Sequence, residues 1–319
     1  MQLLLLLWLV MLPASSIGTE EEQFEEEEPF PRATAAASIG HLASLRMLKM
    51  ERRRFGAGHI CAGSLIRVNA VLTAAQCFVD REIFDGSFLP ISEFVVVLGT
   101  PHRFAGSPNT MIFGLKHRVL MQDKFDVKFH EMDLAVLILT RSVAQQHAVV
   151  KPIELADRPF KRATECQMSG WGRSPSGFSS AVAVSVGIPI IGPRICLIKQ
   201  TTQEFFVQPG MLCANQLGKL KRGYCTGDAG GSLVCEGQLA GIVSWGVRCD
   251  TPHHPGIFTD VLYYAQWIND SLDNPTQLDD YFGNIAKPLA CGAHPGQEIL
   301  FQWIHFVLFD IYFIMAAVQ

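Results

Sequence analysis

Three positions decide what chemistry this chain can do: 76, 133 and 229. Asp133 lies in His130-Glu-Met-Asp-Leu-Ala-Val-Leu-Ile-Leu139 and brings a carboxylate. Gln76 sits near the end of Cys61-Ala-Gly-Ser-Leu-Ile-Arg-Val-Asn-Ala-Val-Leu-Thr-Ala-Ala-Gln-Cys77. Its amide does not accept a proton near neutral pH, so it cannot activate a hydroxyl or protonate a leaving amine. Ala229 lies in Gly223-Tyr-Cys-Thr-Gly-Asp-Ala-Gly-Gly-Ser-Leu-Val-Cys235. Its methyl group has no lone pair and cannot attack a carbonyl. Ser232, three residues on, is expected to point away from position 229. His253 and His254 carry nitrogens of the metal-binding kind, but two adjacent histidines read as loop polars. No metal site and no cofactor are expected.

The same stretches resemble the trypsin-like serine proteases of the chymotrypsin fold. The loop around Ala229 is similar to that family's Gly-Asp-Ser-Gly-Gly-Pro, and Thr73-Ala-Ala-Gln-Cys77 to its Thr-Ala-Ala-His-Cys. The Asp133 segment looks like Asp-Ile-Ala-Leu. By this resemblance Gln76, Asp133 and Ala229 occupy the triad positions, with the general base and the nucleophile both replaced. The aspartate's usual task is to orient a histidine and stabilise the imidazolium that forms. The resemblance puts the oxyanion-hole donors on the backbone of Gly227 and Ala229. It walls the specificity pocket with Ser244-Trp245-Gly246 and Gly256, and puts the uncharged Gly223 at its floor beside the bulky Tyr224. It also pairs Cys61 with Cys77, Cys166 with Cys235, Cys196 with Cys213 and Cys225 with Cys249, leaving Cys291 over. No Ile-Val-Gly-Gly activation sequence follows Arg32, so Asp228 needs another partner. His59 and Ser44 match positions that pair with this aspartate in zymogens of the family.

The elements that must position these residues are short apolar strands between Gly/Pro turns: Phe94–Leu98, His117–Met121 and Leu134–Leu139. Such spacing implies an all-β barrel or sandwich. The resemblance makes it two antiparallel six-stranded barrels with a C-terminal helix, for which Tyr263–Leu272 has the helical period. Gly170-Trp171-Gly172 resembles the start of the second barrel. The resemblance runs from about Ile39 to Leu272.

The chain has 319 residues, half of them apolar and 18% charged, which suits a full globular core. Net charge is −4, but seven glutamates crowd between Glu20 and Glu28; without them the balance is +3, and no nucleic-acid footprint appears. Residues 1–18 read as a secretory signal peptide, 19–38 as an acidic disordered segment, 39–272 as the trypsin-like unit and 273–298 as a polar linker. Residues 299–319 form an apolar tail, with Ile299–Val318 long enough for a lipid-anchor signal or a span. Asp310 near its middle weighs against a span. Asn269-Asp-Ser271 is a glycosylation sequon. Arg52-Arg53-Arg54 end a stretch longer than the family's equivalent hairpin turn; such a basic triplet either recognises acidic partners, this chain's own glutamate run among them, or is a solvated loop tip.

These readings converge on an extracellular, catalytically inactive serine protease homologue. It is expected to be no enzyme but a binding or regulatory module with a protein or peptide partner, secreted or held at the outer cell surface by its tail. A hydrolase with atypical activity and a surface-displayed adhesion scaffold are the alternatives.

Overall fold

The computed structural model describes residues 40–80, 82, 87–121, 124–172, 180–193, 196, 207–215, 229–246 and 255–275. The chain divides into two compact units, Met1–Arg32 and Ala33–Gln319. The first lies outside the described residues, and every strand and helix named here belongs to the second. The expected signal, acidic segment, apolar tail and Cys291 also fall outside.

Six strands close a first barrel: β1 (Leu42–Met47), β2 (His59–Arg67), β3 (Ala70–Thr73), β4 (Phe94–Leu98), β5 (Met111–Leu120) and β6 (Ala135–Leu139), in the order β1-β2-β3-β6-β5-β4. Closure by β1 with β4 leaves no free edge. Every residue of β4 (Phe-Val-Val-Val-Leu) and β6 (Ala-Val-Leu-Ile-Leu) is buried, so these strands read as apolar runs rather than as alternation. Their β-branched side chains also suit the extended backbone. Phe78 and Phe94 meet edge to face, ring centres 4.8 Å apart, inside this core. The strand expected at His117–Met121 in fact begins six residues earlier, at Met111. Its polar Lys116, His117 and Arg118, none of them buried, break the apolar pattern.

The second sheet is built from β7 (Glu165–Gly170), β8 (Val184–Pro189), β9 (Met211–Ala214), β10 (Ser232–Cys235), β11 (Gln238–Trp245) and β12 (Gly256–Asp260), in the order β8-β7-β10-β11-β12-β9. A bridge between Ile190 and Ala214 brings its two ends together. Taken round from β7, the strand order repeats that of the first barrel, a repeat invisible in the residues. A smaller apolar core around Met168, Leu233, Val243 and Phe258 fills it.

Three disulfides form, Cys61–Cys77, Cys166–Cys235 and Cys196–Cys213. Cys225 and Cys249 lie outside the described residues. Helix α1 (Leu48–Glu51) is a single turn between β1 and β2. Helix α2 (Ala265–Asp273) starts two residues later than its period suggests. It turns back onto the first barrel, where Ile268, Trp267 and Leu272 join the larger core. Among the described residues no helix is long and apolar enough to cross a membrane.

Candidate functional site

The candidate site lies where the two barrels meet, and Asp133 is its centre. The residue sits just before β6 and is fully buried. Gln76 rides on a 3-10 turn (Ala75–Phe78) that the Cys61–Cys77 disulfide ties to β2. Its backbone N–H donates to Asp133 Oδ1 at 2.9 Å, and its side-chain Nε2 donates to Oδ2 at 2.5 Å. The same Nε2 donates to the Ser244 carbonyl at 2.8 Å. From β11, the Ser244 hydroxyl donates to Asp133 Oδ2 at 2.5 Å. From β12, the Thr259 hydroxyl donates to the Asp133 carbonyl at 2.9 Å. Burial pushes the Asp133 carboxyl upward, against the pull of the Ser244 and Gln76 donors. One carboxylate thus gathers side chains from both barrels.

Both amide hydrogens of Gln76 are engaged, one on each barrel. A neutral imidazole has one N–H for such a role and keeps its other nitrogen for proton transfer; the amide fills the donor role but has no basic nitrogen for the second.

Ala229 precedes β10 in a turn pressed against the first barrel. Its carbonyl accepts from Ala62 N–H at 2.9 Å. Gly230 follows with φ +82°, and a Cβ there would stand 2.2 Å from Thr73 Oγ1 and 2.3 Å from the Ala62 carbonyl. Only glycine fits both the backbone angle and the gap. Ser232, as expected, turns from position 229: its hydroxyl meets His41 Nε2 at 3.1 Å, deep between the barrels. Burial lowers the His41 pKa to about 4.

Trp245 and Gly246 follow Ser244 at the end of β11, and Gly256 opens β12 opposite. His130 stacks on Trp245, ring centres 6.2 Å apart and planes 19° from parallel, with its Nδ1 3.9 Å from Asp133 Oδ2. Burial lowers the His130 pKa, while the Asp133 and Asp126 carboxylates oppose that shift. The sequence reading did not single out His130. The sign available in the sequence was its place three residues before Asp133; its left-handed backbone, φ 53°, and its stacking on Trp245 are visible only in the structure.

Ser44 and His59 are brought together: Oγ to Nδ1 is 2.8 Å. Arg46 Nε donates to the same Ser44 oxygen at 2.8 Å, so the Ser44 hydrogen is free to go to His59 Nδ1. His59 also packs edge-on against Trp171 at 5.2 Å. Their expected partner Asp228 lies outside the described residues, as do Gly223, Tyr224, Gly227, His253 and His254. Asn269 is exposed on α2. Among the described residues no three His, Cys, Asp or Glu side chains gather as metal ligands would.

Comparison with known proteins places these features. The family model described as Trypsin matches residues 36–268. Trypsin zeta of Drosophila erecta is 30% identical over 241 residues, 74% of this chain and 82% of its own length. Human kallikrein-14 is 33% identical over 231 residues, 71% of this chain and 78% of its own. The solved structure of neuropsin, a serine protease expressed in the limbic system of mouse brain, superposes with a TM-score of 0.62 at 26% identity. It covers 76% of this chain and 98% of that one.

These relatives correct one expectation. Gln76 and Ala229 led to the reading that the chain is no enzyme, and that reading does not stand, because the proteins it resembles are serine proteases. Two exchanged side chains bear on one mechanism at two positions, not on the whole chain. Histidine–serine pairs remain in it, His41 with Ser232 and Ser44 with His59.

Proposed function

From the premise that this chain belongs to the trypsin family, we propose that it acts outside the cell as a protein-binding or regulatory member of that family. The groove between its barrels is the recognition surface. The observation that carries this is the Gln76 amide, whose two hydrogens link Asp133 to the Ser244 carbonyl. That link holds the groove in shape where the family's general base would stand. Beside it, His130 stacked on Trp245 offers a flat, half-apolar wall of the kind that packs against a peptide. The three disulfides fit an oxidising, extracellular setting.

Passing extracellular fluid over the immobilised protein tests the reading: a protein or peptide partner is expected to bind, and at least tenfold less to Trp245→Ala. If a partner captured by the protein stays bound after Trp245→Ala, the groove is not the binding surface, and the barrels serve as a scaffold.

The reading extends to anchorage at the outer cell surface through the apolar stretch Ile299–Val318. Its aromatic residues would otherwise face water as a patch prone to association. Expressing the full chain in eukaryotic cells and treating them with phosphatidylinositol-specific phospholipase checks this. Release into the medium is expected for a lipid anchor, and retention through an alkaline wash for a span. Full-length protein in untreated medium, tail intact, refutes both.

A further inference from the structure

The turn between β1 and β2 carries a cationic face that the groove does not use. Lys49, Arg52, Arg53 and Arg54 are all exposed there. Glu51, the carboxylate within the turn, is already occupied. It accepts from Arg46 Nη1 at 2.7 Å and from the backbone N–H groups of Gly56 at 2.9 Å and Gly58 at 3.3 Å. Glu93, on the 3-10 turn that packs against α1, is the acidic residue that this neighbouring element brings near. Four cations therefore outnumber the carboxylate still available.

This face is held rigid from beneath. Arg46 is fully buried and lies over the Phe55 ring at 4.5 Å. Its Nη2 donates to the Arg103 carbonyl at 3.3 Å, which ties the turn to segment 100–105. Gly56, with φ +81°, leans so close to that carbonyl that a Cβ would stand 2.1 Å from it. On the outside, the Arg54 and Arg103 guanidinium groups both lie over Phe104, at 4.9 and 4.5 Å. The backbone N–H groups of Arg52, Arg53 and Arg54 all donate within the turn. A basic loop left to solvent has no need of a buried ion pair and a ring clamp beneath it; ordering it in advance lowers the entropy lost on binding.

We propose that this turn is a second binding surface, independent of the groove, and that its occupant is an acidic protein segment with an apolar side chain among its carboxylates. The guanidinium forks match carboxylates in pairs. Met50, 42% exposed, and Ile60, 40% exposed, lie in the same β-turn-β stretch and offer an apolar contact. A sulfated polysaccharide would satisfy the arginines but has nothing for those two side chains.

The test uses the full chain and a fluorescently labelled heptapeptide, Glu-Glu-Glu-Phe-Glu-Glu-Glu, followed by anisotropy. Saturable binding should weaken at least tenfold in the Arg52→Gln/Arg53→Gln/Arg54→Gln variant and several-fold in Met50→Ser. A second variant, Arg52→Glu/Arg53→Glu, leaves the Arg54–Phe104 contact in place and should abolish binding. Lys116→Gln/Lys151→Gln, which removes exposed charge elsewhere, should leave binding unchanged. Raising salt from 50 to 200 mM should weaken the wild type. Equal binding by wild type and both arginine variants overturns the proposal, as does the absence of saturable binding. Tighter binding of a heparin fragment through the same arginines, insensitive to Met50→Ser, replaces the peptide by a polysaccharide and overturns it too.

Discussion

His41 shows how one buried side chain makes stability depend on pH. Its pKa falls from 6.5 to about 4 because burial between the barrels penalises the charged ring. The unfolded chain takes up the proton first as pH drops, so stability from this residue is full above about 6.5 and is lost on the way down to about 4. The whole effect is on the order of 3 kcal/mol. Asp133 and Asp260 shift the other way: burial raises both, so their part of the stability grows on acidification. The His41 effect is therefore read as a difference. Unfolding free energies of wild type and His41→Gln, measured by urea at pH 7 and pH 4.5, should converge as pH falls; parallel curves would mean that the ring is not buried neutral.

At the scale of elements, the turn Ala229–Gly231 and the hairpin β2–β3 are fitted to each other. Ala62 N–H bonds to the Ala229 carbonyl, and the Thr73 hydroxyl to the Ala62 carbonyl at 2.7 Å. Gly230→Ala places a methyl group into that contact at a backbone angle that L residues avoid. A loss of at least about 2 kcal/mol is expected, seen as a lower urea midpoint with an unchanged slope; a change under about 0.5 kcal/mol would show that the turn can move aside. Much of this architecture was legible in the residues. The runs at 94–98 and 134–139 announced buried strands because a closed barrel covers both faces of β4 and β6. The cysteine motifs, through the family resemblance, gave the three pairs that form. What was not legible came from contacts between distant positions. His41 and Ser232 are 191 residues apart, and neither carries a local sign of the other. Arg46 carries no sign in the sequence of its burial, which Glu51, five residues on, makes tolerable by pairing with its guanidinium. His130 lay inside a stretch read for its aspartate, and the positive φ that aims it at Trp245 leaves no trace in residue type.

For the whole molecule, Asp133 is one of the points, with His41–Ser232 and Ala62–Ala229, at which the two barrels are joined, and the larger apolar core itself takes in Leu239 and Ile242 of β11. Asp133 Oδ2 accepts from Gln76 of the first barrel and from Ser244 of the second. Removing either donor leaves the oxygen with one partner, and removing both leaves a buried carboxylate with its other oxygen on the Gln76 backbone N–H alone. The second loss should therefore cost more than the first, because an unpaired buried charge is far less stable than a weakened pair. Gln76→Ala, Ser244→Ala and the double variant, compared by urea unfolding at pH 7, should give a coupling of about 1 kcal/mol or more. Additivity within about 0.5 kcal/mol would show that the barrels do not communicate through this carboxylate. The pH dependence adds an independent check. Each donor favours the ionised form, so in the double variant the Asp133 pKa must rise further above its already raised position. A proton then relieves the stranded charge, and the coupling should shrink as pH is lowered.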